Sequence, residues 1–547
     1  GCTYNIEIGA DTVLDVSGLA ANVSGAKINF SGKGTLKLKT ATFSDCTVNF
    51  ELEKIEVFGA TEISNSATVK FNKVSSVSFA EELKNSGTVD FSDCNIVKFN
   101  GALENSGTAD FSGATATSVS GKITNGGTLE LFGDDSSINF PADFDNKGTI
   151  CSSGFCSVNF ASPVTDSGTW IYSGGKVKND DITYNILELK GKVVIPGDLS
   201  AKEIKIETES LSIQGEIKSD SIEINTEKTI VLDADVTINS NVVELSQNAT
   251  FVVAGKNLTF GSENDGSSII SDDKKNLVIL DSASAGKTIF YSSLGTATSP
   301  LGEISSETET FFNADVFSDS IEAKNSAQIS SAKITTSGGQ IYDSALKITG
   351  TQTKLISEND GISFGGSVDI SAQTLISALN GSAKFSAALK SSENLSVSAK
   401  SVDFSSNITV TGSGSISLMA DTIFSGDSTI SLENGSFSVG NESNPNMVTV
   451  ENGAAVEFQK VAESTFFGNF INSGKVTING SGTQTFSSFE NKQNGVISVN
   501  DSSKIDFQAD FDNRGKIYST GLCSVNFASP VTDSGTWIYS GGKVKND

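Results

Sequence analysis

The side chains in this sequence that could do chemistry are its carboxylates, its lysines and six cysteines, because histidine is absent and Arg514 is the one arginine. Two carboxylates ~5 to 9.5 Å apart can hydrolyse a glycosidic bond, and a twenty-residue spacing sets Asp90 against Asp110. Each of those acids lies between two apolar residues, in Val89-Asp90-Phe91 and Ala109-Asp110-Phe111, which is the place of an outward-facing strand residue. Acids that recur at one point of successive repeats describe a surface and not a unique cleft. The cysteines, at 2, 46, 94, 151, 156 and 523, lack the paired spacing of a zinc site and have no histidine to complete one. Cys151 and Cys156 could bridge across a turn, but a later copy of the same stretch has Tyr518 and Cys523 there, so buried thiols are the expectation. Ser173-Gly174-Gly175-Lys176 lacks the spacing of a phosphate loop, and the acidic turns do not follow the Gly-Gly-x-Gly-x-Asp calcium repeat. No catalytic residue, metal or cofactor is expected, and the chain reads as a non-enzyme.

Charge narrows the partners. There are 65 acidic against 38 basic side chains, a net charge of -27, so a phosphate backbone is repelled and nucleic acid is not expected as a partner. The acidity instead keeps an elongated particle soluble. No apolar run approaches the ~20 residues that cross a bilayer, and the chain opens on Gly1, as a mature or excised segment would. Asn-x-Ser/Thr triplets such as those at Asn22 and Asn257 matter only in a glycosylating host.

The elements that position these residues are set by a repeat of about 20 residues. Asn65, Asn85, Asn105, Asn125, Asn146 and Asp166 occupy one point of a phrase such as Asn85-Ser86-Gly87-Thr88-Val89-Asp90-Phe91, and the phrase returns at Asn452, Asn472, Asn513 and Asp533. Apolar residues follow three tracks. One runs through Val69/Phe71, Val89/Phe91, Ala109/Phe111, Leu129/Leu131 and Trp170/Tyr172; a second through Phe58, Phe79, Phe99, Val119, Phe140 and Phe160; a third through Ile63, Leu83, Leu103, Ile123, Phe144 and Val164. A pair such as Val-x-Phe puts both side chains on one face of an extended segment. Three short strands per period, stacked turn on turn, give an all-β, right-handed parallel β-helix with three sheets and about 20 residues per coil. The Asn and Asp positions are expected at bends, in a left-handed conformation and bonded to one another from coil to coil. From 181 to 450 the pattern loosens, as in Glu203-Ile204-Lys205-Ile206 and Ser221-Ile222-Glu223-Ile224, with coils of 17 to 21 residues expected.

A larger repeat overlies this one. Cys156 to Asp180 is repeated letter for letter from Cys523 to Asp547, and Thr3-Tyr4-Asn5-Ile6 reappears as Thr183-Tyr184-Asn185-Ile186. This gives two modules, 1–180 and 181–547, expected to stack as one continuous rod. The tracks and Asn-Ser-Gly-Thr turns resemble the passenger regions of bacterial autotransporters and filamentous-haemagglutinin-like adhesins. That resemblance implies a parallel β-helix exported to the cell surface, with a role in adhesion or surface structure. Polysaccharide lyases and glycosidases also use parallel β-helices, but Arg514 is matched by Lys147 in the other copy, and neither looks like a catalytic base.

The expected function is an extracellular structural rod of the cell surface that assembles head-to-tail. The alternatives are the shaft of an adhesin binding a host glycan or matrix protein and, behind it, a polysaccharide-degrading enzyme. The expected assembly interface is Thr3, Tyr4 and Asn5 of one copy against Trp537, Ile538 and Tyr539 of another, with Asp547 meeting Gly1 as Asp180 meets Asp181. At ~4.8 Å per coil, about 27 coils predict a subunit roughly 130 Å long.

Overall fold

The computed structural model of the protein describes residues 2–134, 136–153, 155–263, 266–405, 408–529 and 531–541. All regular structure among the described residues is β-strand, so no helix there is long and apolar enough to cross a membrane. The chain divides into two compact units, Gly1–Phe251 and Val252–Asp547. Within each, strands about one coil apart pair in parallel, and the sole isolated antiparallel bridge among the described residues joins Glu433 and Val461. Each unit is a parallel β-solenoid.

In the first unit one coil reads Thr68–Phe71, Ser76–Phe79 and Leu83–Asn85, three strands separated by bends. β-Branched and aromatic residues at alternate positions suit a pleated, half-buried surface, and here every inward position meets its counterpart in the next coil. Val69 pairs with Val89, Val89 with Ala109 and Ala109 with Leu129; Phe79 pairs with Phe99, and Leu83 with Leu103. The rings of Phe30, Phe50, Phe71, Phe91 and Phe111 stack with centroids 4.9 to 5.1 Å apart, and Phe79 meets Phe71 and Phe91 edge-on across the core. Each fully buried ring contributes roughly 1.5–3 kcal/mol, so these columns dominate the stability of a coil.

The first coils depart from the expected tracks in three places. Phe58 is 46% exposed, and Val57 takes its column opposite Phe79. Ile63 lies opposite Asn85 and Thr61 opposite Leu83, so Ile63 heads the Asn column and Thr61 the Leu column. Asn65 is exposed in the bend. The physical reason is that the bend joining Thr61–Ile63 to Thr68–Phe71 is two residues longer than the one joining Leu83–Asn85 to Thr88–Asp90, which moves the repeated phrase off its column.

From Asn85 onward the expected ladder forms. The Nδ2 of Asn85 donates to Asn105 Oδ1 (2.7 Å), Asn105 to Asn125 (2.8 Å) and Asn125 to Asn146 (2.7 Å), all buried. The left-handed residues are at a different corner: Lys73, Asp93 and Gly113, after the first strand of each coil, have φ of 56°, 61° and 77°. The glycines that follow the Asn column have another cause. A Cβ on Gly107 would come 2.0 Å from the Gly87 carbonyl oxygen, and one on Gly127 2.0 Å from that of Gly107, so stacked bends leave no room for a side chain.

The second unit builds the same kind of columns, through Tyr342, Phe364, Phe385, Phe404 and Phe424 and later through Phe466, Phe486, Phe507 and Phe527. Coils such as Phe364 to Phe385 and Phe385 to Phe404 keep the expected 17 to 21 residues, but others exceed it: Phe260 lies opposite Phe290, and Phe424 pairs with Val450. The surplus forms outer loops. One is closed by the carboxylate of Asp281, which accepts the N–H groups of Gly255, Ala283, Ala285 and Gly286 at 2.7 to 3.1 Å. Burial pushes the Asp281 pKa up, but these four donors outweigh it and leave it below the ordinary value.

Candidate assembly junction

The repeated segment Cys156–Asp180 is followed in the first unit by a coil that covers it. The strand Ile182–Ile195 pairs with Val164–Thr165, Thr169–Tyr172 and Gly175–Lys176 in turn, setting Leu187 on Trp170 and Leu189 on Tyr172. The boundary between the sequence modules is thus continuous parallel pairing inside one compact unit.

Three aromatic rings lock it. Trp170, Tyr172 and Tyr184 are each at most 1% exposed, with Trp170 edge-on to Tyr184 at 5.7 Å and stacked on Tyr172 at 6.1 Å. Their hydroxyls close a ring of hydrogen bonds. Tyr184 donates to the Lys178 carbonyl (2.5 Å), the Lys178 N–H donates to the Tyr172 oxygen (3.3 Å), and Tyr172 donates to Tyr184 (3.1 Å). Burial pushes the Tyr172 hydroxyl up to about 12 and raises that of Tyr184 further above its ordinary range. Both stay neutral donors at any ordinary pH.

The Asn column ends here on an acid. Asp166 is 4% exposed, and no donor reaches its carboxylate oxygens in good geometry, although Asn146, the Gly168 and Ser167 N–H groups and the Trp170 indole surround it. Burial raises its pKa, and those donors offset the effect only in part. An acceptor-only carboxylate cannot donate to a further coil, so the ladder stops and Tyr184 lies next in that column.

The second copy of the segment folds alike in the second unit. Asn472, Asn491 and Asn513 form a ladder that ends on Asp533, whose Oδ1 accepts Asn513 Nδ2 at 2.9 Å and the Gly535 N–H at 2.7 Å. Trp537 stacks on Tyr539 at 5.8 Å, as Trp170 does on Tyr172. Here, however, Ile538 is 39% and Tyr539 42% exposed. The strand Thr536–Tyr539 pairs with Lys516–Ser519 on one side.

At the other end Thr3–Glu7 pairs with Lys27–Ser31, leaving Tyr4 53% exposed. Asn5 points outward and accepts Asn29 Nδ2 at 2.7 Å. Tyr4 and Tyr184, alike in sequence, occupy different sheets. Register carried coil by coil, from Tyr4 to Ile28, Val48, Val69, Val89, Ala109, Leu129, Ile150, Trp170 and Leu187, puts Tyr4 in the column of Leu187. The expected Asp547–Gly1 contact lies outside the described residues. Tyr172, Lys178 and Tyr184 were not among the expected interface residues; the signal for them was the identity of the Trp-x-Tyr segments together with a tyrosine four residues past Asp180.

A second feature is a groove of about 320 Å³ in the second unit, walled by Thr296, Ala297 and Pro300 and floored by Phe317 and Thr335. The wall is a self-bonded turn in which Thr296 N donates to Ser299 O at 3.0 Å and Ser299 N to Thr296 Oγ1 at 2.9 Å. Lys274 and Ser337 both donate to Asp319, at 2.6 and 2.7 Å, and Lys333 Nζ lies 5.5 Å from the Phe317 ring centre. The cysteines are all free; burial raises the thiol of Cys94 to about 12 and that of Cys156 to about 11, so neither is a ready nucleophile or ligand. Among the described residues no three acidic or cysteine side chains converge as a metal site. Comparison with protein-family models, with curated proteins and with solved structures finds no match to this chain.

Proposed function

We propose that the protein is a non-catalytic structural rod of the cell surface, secreted or exported, whose copies join head-to-tail. The observation that carries the reading is the covered copy of the repeated segment: Cys156–Asp180 is a coil-on-coil contact with Trp170 and Tyr172 fully buried, and Trp537 and Tyr539 carry the same residues at an exposed edge. Outward faces made of repeated Ser, Thr, Lys and Glu rows, such as Thr88–Thr108–Thr128, suit a scaffold better than a unique cleft. Electron microscopy of the purified chain tests it, with long fibres expected. Isolated short particles at all concentrations would count against assembly, and depolymerisation of an acidic polysaccharide would count against a non-catalytic role.

The Phe317 groove favours a second reading, the shaft of an autotransporter-like adhesin that binds a host glycan or a matrix protein. An aromatic floor flanked by Asp319 and Lys333 offers one apolar face and several hydrogen-bonding groups, and its volume is at the lower end of the ~300–1,000 Å³ of ligand pockets. A glycan and matrix-protein panel probed with the chain and with Phe317→Ala separates the readings: binding that the substitution abolishes supports the adhesin.

A further inference from the structure

We infer that the Thr3–Glu7 strand of a second copy of this chain adds to the Thr536–Tyr539 edge in one register, Thr536 beside Thr3, Trp537 beside Tyr4, Ile538 beside Asn5 and Tyr539 beside Ile6. The inference rests on the head-to-tail reading and names its contact. The register comes from the internal junction, where Thr169, Trp170, Ile171 and Tyr172 pair with Ile186, Leu187, Glu188 and Leu189. Thr536–Tyr539 has the sequence of Thr169–Tyr172, and the coil-by-coil register places Tyr4 in the column of Leu187, hence Ile6 in that of Leu189. Tyr4-x-Ile6 therefore offers two inward apolar side chains where Leu187-x-Leu189 offers two, and the polar Asn5 falls where Glu188 points outward.

The sequence match alone gives a different register, with Tyr4 playing the part of Tyr184. The structure rejects it: Tyr184 belongs to the column above Asp166, and pairing Tyr4 there would turn Ile6 out of the core. In the inferred register Tyr4 fills the Leu187 column and not that of Tyr184, so it does not complete a hydrogen-bonded ring with the Tyr539 hydroxyl, and the contact between copies is weaker than the internal one. Fibres that shorten on dilution, from a subunit that stays folded, are the expected behaviour.

Disulfide trapping tests the register. Adjacent strands lie ~4.8 Å apart, within the 4.4–6.8 Å between Cα atoms that a disulfide spans. In a Cys2→Ser background, Ile538→Cys with Asn5→Cys should give a ladder of covalent multimers under mild oxidation, while either cysteine alone gives none beyond a dimer. Ile538→Cys with Tyr4→Cys, whose side chains leave opposite faces, should give no ladder. Tyr4→Asp should abolish fibres while leaving the circular dichroism spectrum and melting temperature unchanged, because Tyr4 is 53% exposed in the single chain. Fibres without the Asn5–Ile538 ladder would overturn this register and leave the structural reading standing; particles that never associate would overturn both. A source protein whose own chain supplies the strand beside Thr536–Tyr539 would overturn the second copy as occupant.

Discussion

Asp166 and the tyrosines around it are where single atoms decide most. The Asp166 carboxyl titrates above its ordinary range because burial disfavours its charge. The folded state then holds this proton more tightly than the unfolded chain, so the contribution to stability is complete below the ordinary carboxylate pKa and is lost as pH rises through the raised value. Asp166→Asn removes that loss, because an amide in the same place does not titrate. The variant should melt higher than the parent at pH 7 and lose most of that advantage at pH 3, as followed by thermal denaturation across pH. Tyr184→Phe keeps the ring against Trp170 but opens the hydrogen-bonded circuit with Tyr172 and Lys178, and should cost ~1–3 kcal/mol in denaturant unfolding. Tyr4→Phe, at an exposed hydroxyl, should change stability by less than ~0.5 kcal/mol.

Between coils, apolar columns and the Asn ladder do the work that ion pairs do not. The ion pairs have side chains 13 to 82% exposed, and surface pairs of that kind contribute ~0–1 kcal/mol each. Asn105→Leu would leave Asn125 Oδ1 without its ladder donor and Asn85 Nδ2 with the Thr108 carbonyl alone, at ~1–3 kcal/mol for the oxygen left unpaired in the core. Stability in a solenoid is close to a sum over neighbouring coils. Hydrogen exchange should therefore quicken most in the strands Leu83–Asn85, Leu103–Asn105 and Ile123–Asn125, and far less beyond Tyr184. Phe99→Ala removes a ring stacked on Phe79 and edge-on to Phe91 and Phe111, for ~3–5 kcal/mol by the same measurement.

For the whole molecule the governing number is the net charge of -27. On the proposed head-to-tail reading, copies that meet end to end repel one another, and salt screens that repulsion over ~10 Å at 0.1 M. Mean fibre length, measured by light scattering or microscopy, should grow as ionic strength rises from ~10 mM to ~150 mM. Fibres that dissolve with added salt would mean that ion pairs between copies, and not the apolar Trp537–Tyr4 and Tyr539–Ile6 contacts, hold the ends together.

The sequence by itself determined the class of fold, the stacking of Val-x-Phe pairs from Val69/Phe71 onward, the Asn ladder from Asn85 and the identity of the two segments that end on Asp180 and Asp547. These are legible because alternation and a fixed period are properties of residue order. Only the tertiary structure decided which residue enters a column where a strand meets a bend. Val57 lies inside and Phe58 outside, Ile63 replaces Asn65 at the head of the Asn column, and Tyr4 answers to Leu187 instead of Tyr184. A one-residue change of register reverses the face of a strand, and bend length, which sets that register, depends on how backbones stack, as the glycines at 107 and 127 do under neighbouring carbonyls. The tyrosine ring and the exposed Thr536–Tyr539 edge follow from that same stacking, which brings together residues that no spacing in the sequence links.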